Sequence, residues 1–290
     1  NDAPVAVNDT ATIGEAGGTA NGTAGSALTS TTSGFTNTLN VLANDTDVDA
    51  SETLSVKDIK AGTAAGAGTA VTASTTSANG TEVVGSFGTI KIGADGSYSY
   101  VVDQANATVK ALAVGSTAIN DVFTYTVKDT AGATSTATVT VSITGANDAP
   151  VISGGTVNGL PSNTGAILTT ALKNGYTDDD NHAQKGVIFT ELPNAAEATL
   201  LLNGVAVTAN TLVTIEDINA NKVELKPATN FSGSVSLKFK AVDTSDTNNE
   251  SAVVTSTFNF VDSMAPTLTS TSPVDNSSVA FADVGNNLSL

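Results

Sequence analysis

Apolar and polar residues alternate with a period of two along much of the chain. Val122–Val127 places Phe123, Tyr125 and Val127 on one face, and Ser135–Ile143 places Ala137, Val139, Val141 and Ile143 on another. Successive side chains of a strand point to opposite faces, so both stretches predict half-buried strands, joined by the turn Lys128–Gly132. The same pattern predicts a hairpin from Gly88–Ile92 and Ser97–Val101 around Gly93–Gly96. In the second half, Thr199–Leu202 and Val205–Val207 flank Asn203-Gly204, a pair that accepts the positive φ of a type I′ turn. Val223–Pro227 reads as a strand ended by proline, and Ser234–Ala241 and Val253–Val261 alternate cleanly. Ala61–Ser86, rich in Gly, Ala and Thr, reads as a loop or a weak edge. Many short strands and no helical periodicity predict β-sandwiches of antiparallel strands.

Composition supports this. Aromatics are 4% and Trp is absent, so the cores must be built from Val, Ile, Leu and Ala. The polar surface is Thr, Ser, Asn and Gly rather than the Glu, Lys and Arg of long helices. Eleven basic residues stand against 28 acidic ones, a net charge of −17. Nucleic acid is therefore excluded as a partner, because it is bound by clustered Lys and Arg. Insertion into a membrane is not expected, since no run of about 18 apolar residues exists. Cysteine is absent, which removes disulfides, zinc-thiolate sites and thiol nucleophiles. The chain does not begin with Met and has no leader pattern, so it reads as a mature or excised piece of something longer.

Asn-Asp-Ala-Pro occurs at Asn1–Pro4 and again at Asn147–Pro150, and a further Ala265-Pro266 follows Asp262. Such punctuation marks the joints of a modular chain. The halves overlay: Phe123–Asp129 matches Leu237–Asp243 in pattern, and Thr46–Asp49 matches Thr177–Asp180. The expected domains are 1–149, 150–263 and the incomplete start of a third at 264–290. At 290 residues, two full domains and a fragment are the natural content.

Several motifs carry a resemblance. Asn1–Thr10, Asn40–Asp49, Asp95–Tyr100, Phe123–Asp129 and Gly145–Pro150 make residues 1–150 resemble the VCBS-type repeat of large bacterial surface proteins. Residues 151–262 resemble a bacterial cadherin-like repeat, on Leu192-Pro193, Leu200–Gly204, Ile215–Ile218 and Leu225–Gly233. Residues 265–290 are similar to the start of a bacterial Ig-like domain, on Ala265–Leu268 and Pro273–Asn276. The resemblance implies an all-β chain of tandem Ig-like/cadherin-like sandwiches, within extracellular adhesins or biofilm-matrix proteins. It also implies Ca2+ at the joints. Ser263-Met264 stands where the first joint has Asn147-Asp148, which weakens the second joint as a calcium site.

In an Ig-type module the loops after the second and sixth strands lie beside the incoming linker. In the second domain these loops carry Asp178, Asp180 and Asp243, and the linker carries Asn147 and Asp148. The far end of the first domain would add Glu15, placed on a first hairpin loop, and Asp121, placed just before the sixth strand. The equivalent set at the start of the first domain is Asp2, Asp47, Asp49 and Asp129. Carboxylates and carbonyls suit calcium, which takes six to eight oxygens at about 2.3–2.6 Å. Asp and Asn are also ordinary turn formers, so each cluster has a purely conformational reading beside the metal one. His182, a lone histidine in a polar loop, reads as solvated rather than as a ligand.

Catalysis finds no foothold: one histidine, no cysteine, no G-x-S-x-G, no H-E-x-x-H and no Walker loop. The chain is expected to be no enzyme. The leading reading is a structural and adhesive repeat segment of a long surface protein. Its partners would be neighbouring repeats and cell-surface or matrix ligands. The alternatives are a subunit that assembles with itself into an extracellular filament or surface layer, and an accessory region of a secreted enzyme.

Overall fold

A computed structural model of the chain describes residues 1–17, 27–28, 39–49, 51–246 and 249–262. They belong to two compact units, Asn1–Asp148 and Ala149–Leu290. The expected third module, 264–290, lies outside the described residues, as does the Ser263-Met264 joint.

Unit 1 contains β1 (Asp9–Gly14), β2 (Ala27–Leu28), β3 (Ser55–Ala61), β4 (Thr69–Ala70), β5 (Thr81–Val84), β6 (Gly88–Ile92), β7 (Tyr98–Val102), the one-turn helix α1 (Ala107–Lys110), β8 (Ile119–Lys128) and β9 (Thr134–Thr144). One sheet runs β1-β9-β8-β3-β4 and the facing one β2-β7-β6-β5. The alternation predicted from sequence sets which side chains enter the core. Phe123, Tyr125 and Val127 of β8 are fully buried, as are Val139, Val141 and Ile143 of β9. The facing sheet supplies Ile90, Ile92, Tyr98 and Tyr100. Tyr100 meets Phe123 edge-on at 6.1 Å between ring centres, a favoured aromatic geometry that ties the two sheets together.

Unit 2 repeats the plan with β10 (Thr156–Pro161), β11 (Ala166–Ile167), β12 (Gln184–Glu191), β13 (Ala198–Leu202), β14 (Val205–Ala206), β15 (Leu212–Thr214), the short helix α2 (Ile215–Asn219), β16 (Val223–Pro227), β17 (Gly233–Asp243) and β18 (Val254–Val261). Its sheets run β10-β18-β17-β12-β15 and β11-β16-β13-β14. Asn203 and Gly204 both take positive φ, +51° and +79°, between β13 and β14, as a type I′ turn requires. The core is centred on Phe189 and Phe239, 5.9 Å apart and fully buried.

The tandem sandwiches are as expected and most strand pairs are antiparallel, but the first strand of each unit is not. β1 runs parallel to β9 through six residue pairs, from Asp9 opposite Val139 to Gly14 opposite Thr144. β10 runs parallel to β18, with a register break between Val157 and Leu160. Periodicity shows which face of a strand is buried but not which strand lies beside it. Glu15 is therefore not on a hairpin loop. It follows β1 and hydrogen-bonds through its N–H to Thr144 O at 3.0 Å, at the end where β9 leaves the sheet.

Candidate metal centre

In unit 2 the loop Tyr176–His182 and the end of β17 build one acidic cluster. Thr177 and Val151 exchange backbone hydrogen bonds at 2.8 and 2.9 Å, which fixes the start of the loop. Asn181 takes φ +61° and donates its N–H to Asp178 O at 3.1 Å, closing a turn. His182 N–H then donates to Asp178 Oδ1 at 2.9 Å, while Tyr176 OH donates to His182 O at 3.0 Å. Asp243 arrives from β17, paired with Gln184 of β12. Asp178, His182 and Asp243 each bring one ligand atom to within 4.8 Å of the others. The Asp178 side chain is 1% exposed and that of Asp180 0%. Asp178 Oδ2 is buried and accepts no hydrogen bond. Burial raises the Tyr176 hydroxyl well above its ordinary range, and the neighbouring charges of Asp178 and Asp243 push it further.

His182 departs from the sequence reading. Its ring is not simply solvated: Nδ1 is buried, 3.8 Å from Asp178 Oδ1 and 4.0 Å from Asp180 Oδ2. Composition gives no hint of this, because the imidazole is placed by two backbone hydrogen bonds rather than by any pattern.

In unit 1 the same kind of loop gathers the N-terminal set. Asp2 N–H donates to Asp49 Oδ2 at 2.6 Å, Asp49 N–H to Asp47 Oδ1 at 2.8 Å, and Asn1 Nδ2 to Asp129 Oδ2 at 2.9 Å. Asp2, Asp47, Asp49 and Asp129 are thus brought to one end of the unit. Asp129 is held below the usual carboxylate range, first by Asn1 and then by backbone N–H groups of the turn that follows. Asp47 Oδ2 is buried and accepts no hydrogen bond, as is Asp178 Oδ2 of unit 2.

At the other end of unit 1, Glu15 is buried and its Oε1 accepts Ala146 N–H at 3.0 Å, which sets it beside the outgoing segment. Asn147 and Asp148 on that segment are buried too. Ala16 N–H donates to Gln104 Oε1 at 3.2 Å and so brings the Asp103–Asn106 turn next to Glu15. Asp103 was not among the expected residues, although an Asp ending a strand before an Asn-capped helix is a readable signal. Asp121 must be corrected. It lies inside β8, and its carboxylate accepts Ser86 N–H and Phe87 N–H, each at 3.0 Å, and Tyr100 OH at 2.7 Å. Three donors from its own unit make it a structural tie, since a carboxylate this engaged has little capacity left for a cation.

A buried constellation that sequence reasoning missed lies behind the N-terminal set. Tyr125 OH stands 2.8 Å from Asp9 Oδ2 and 3.0 Å from each of the carbonyls of Val7 and Val41. One hydroxyl proton is shared among three acceptors. Burial raises Asp9 to about 6; the Tyr125 hydrogen bond opposes this and the neighbouring Asp45 adds to it. Asp45 is also raised by burial, and its Oδ1 accepts Val7 N–H at 2.7 Å. The twin triplets Asn8-Asp9-Thr10 and Asn44-Asp45-Thr46 were the signal available.

A family model described as "Bacterial cadherin-like domain" matches residues 1–145, where a VCBS-type repeat was expected, the cadherin-like repeat having been expected of residues 151–262. No curated protein matches the chain. Similar solved structures include Drosophila N-cadherin EC1-4, at 12% identity and TM-score 0.38 over 87% of this chain and 49% of that one. Human CDH23 EC21-23 is similar at 14% identity and TM-score 0.41, over 90% and 70%. Protocadherin Gamma B2 extracellular cadherin domains 3–6 follow at 12% and 0.38, over 90% and 52%. The chain thus spans about half the length of the first and third of these.

Proposed function

We propose, for a chain that belongs to the bacterial cadherin-like domain family by its match over residues 1–145, that it is a structural and adhesive repeat segment of a long extracellular protein, at the cell surface or secreted. Its acidic module ends bind calcium and stiffen the repeat. Residues 151–262 act as a second module of the same kind. One observation carries the calcium reading. In both units the first Asp of the Asp-x-Asp loop, Asp47 and Asp178, buries a carboxylate oxygen that no hydrogen bond satisfies. A buried unsatisfied carboxylate oxygen costs several kcal/mol, and a hard divalent cation offsets that cost. In unit 2 the holders would be Asp178, Asp180 and Asp243; in unit 1, Asp2, Asp47, Asp49 and Asp129, with Glu15, Asn147 and Asp148 lining its other end. When bound, calcium supplies positive charge that lets neighbouring carboxylates coexist. The chain's own contribution is to pre-position them through the turn hydrogen bonds at Asp178 and Asp49.

Calorimetric titration of chelator-stripped chain with calcium tests the reading. At a hundredfold excess over Kd, binding adds about 2.7 kcal/mol to the unit that holds the ion, a rise of roughly 10 °C in its melting temperature. Asp178→Asn with Asp180→Asn should remove the rise in unit 2 and leave unit 1 unaltered. No heat of binding at millimolar calcium, and no change in melting, would return the clusters to turn formation alone.

A further inference from the structure

The Tyr125 hydroxyl touches two segments that are far apart in the chain. Its oxygen stands 3.0 Å from Val7 O on the entering segment, 3.0 Å from Val41 O on the loop before β3, and 2.8 Å from Asp9 Oδ2. A hydroxyl has one proton to give and can accept another, whereas a carbonyl only accepts. Which oxygen receives the Tyr125 proton therefore depends on Asp9. A protonated Asp9 donates to the tyrosine oxygen and leaves the tyrosine proton for Val7 O or Val41 O. An ionised Asp9 is an acceptor only. It draws the tyrosine proton to itself, since a charged acceptor makes the stronger hydrogen bond. Both carbonyls then lose that donor, and Val41 is fully buried.

The groups facing Asp9 are Tyr125 from β8, Tyr98 from β7, and Asp45 with Asn44 from the loop Asn40–Thr46. None carries positive charge, and Asp45 Oδ2 is buried without a hydrogen bond. Burial is the largest influence on Asp9 and lifts it to about 6. Burial, then the hydrogen bond and charge of Asp9, push the Tyr125 hydroxyl up as well, so it keeps its own proton at neutral pH. Because Asp9 is raised, its proton is held in acid and lost as pH rises through about 6.

We propose that Asp9 and Tyr125 form a pH-sensitive latch: in acid the tyrosine shares its proton between the carbonyls of Val7 and Val41, and at neutral pH it turns to Asp9 and lets both go. The Asp9 proton leaves to solvent, and only hydrogen bonds change. The entering segment is then held by the paired Val5 and Thr46, at 2.8 and 3.1 Å, and by Val7 N–H on Asp45 Oδ1 at 2.7 Å. The latch sets how firmly Asn1–Asn8 is docked, and it does not depend on the calcium reading. Unit 2 has no equivalent hydroxyl, because β17 carries Phe239 where β8 carries Tyr125.

Amide exchange and carbon-13 spectra of the full chain, with chelator present, test this between about pH 5 and 7.5. The Asp9 carboxyl carbon should titrate near 6. Protection of the Val5, Val7 and Thr46 amides, corrected for the intrinsic pH dependence of exchange, should fall about two- to tenfold over that range, the worth of one hydrogen bond. In Asp9→Asn, whose side-chain amide donates at every pH, protection should be flat and high. In Tyr125→Phe it should be flat and low. An Asp9 carbon that titrates near its ordinary 3.8 overturns the proposal. So does protection that fails to follow the Asp9 titration, or a pH dependence that survives in Asp9→Asn. If Asp9→Asn does not fold, titration and protection in the unaltered chain, set against Tyr125→Phe, decide.

Discussion

The two units share a frame and differ in what they bury at its centre. Strands β9, β8 and β3 of unit 1 have the same order as β18, β17 and β12 of unit 2, each flanked by a parallel first strand. Where the overlaid sequences place Tyr125 in β8, β17 has Phe239. The tyrosine hydroxyl of unit 1 serves two carbonyls and a carboxyl inside the core. The phenylalanine of unit 2 meets Phe189 and is fully buried among apolar neighbours. One framework thus accommodates a polar network that must be satisfied in full and a core that holds no polar side chain at this point. The first ties the N-terminal segment, Val7 and Asp9, to the loop at Val41. The second gains its stability from packing alone.

Substitutions at this pair would break the contrast. The largest effect is expected from Phe239→Ala, which removes a fully buried ring and leaves a cavity. It should destabilise unit 2 by about 3–5 kcal/mol and leave unit 1 nearly unchanged. Chemical denaturation followed by unit-resolved amide exchange measures this, and equal losses in both units would show that they do not unfold separately. Tyr125→Phe imports the apolar choice into unit 1. The ring still fits, but Val7 O, Val41 O and Asp9 lose their shared donor, at a cost of about 1–3 kcal/mol confined to unit 1. A neutral or stabilising outcome would mean the network contributes nothing.

The smallest effect sharpens the comparison through pH. Asp9 keeps its proton in the folded chain to about 6, against an ordinary value of 3.8. The folded state therefore binds the proton more tightly than the unfolded one. The resulting stability is full below about pH 4 and is lost as pH rises through about 6. Asp129 and Asp217 are shifted down, Asp217 mainly by Lys222 at 2.9 Å, and their contributions run the other way, present at neutral pH and lost on acidification. Melting of wild type and Asp9→Asn between pH 4 and 7, with chelator present, isolates the first term. The difference between the two proteins should change with pH in unit 1, and parallel curves would count against a protonated Asp9.

Much of the architecture was legible from residues alone, and the reason is local. Alternation in Val122–Val127 and Ser234–Ala241 fixes which side chains face inward, and Asn203-Gly204 fixes a turn. What stayed hidden depends on partners distant in sequence. Nothing local states that β1 lies parallel to β9, 130 residues away in register. Without that pairing Glu15 was assigned to the wrong kind of loop. Asp121 looked like a surface ligand because its three donors come from Ser86, Phe87 and Tyr100. The acidic loops were found because Asp-x-Asp is a compact signal, whereas His182 entered the site only through the geometry of its backbone.

The parallel first and last strands also decide how each unit carries tension. The chain comes in along β1 at one pole and leaves along β9 at the other. Pulling its two ends therefore slides these strands past each other. Every rung between Asp9–Gly14 and Val139–Thr144 is loaded at once, rather than one after another as in an unzipping hairpin. Forced rupture is governed by the unfolding rate, so a ladder that must shear as a whole raises the resistance without any change in equilibrium stability. In unit 2 the corresponding ladder is interrupted between Val157 and Leu160. A break of that kind divides the load into two shorter runs, which makes unit 2 the link that gives first under stretch.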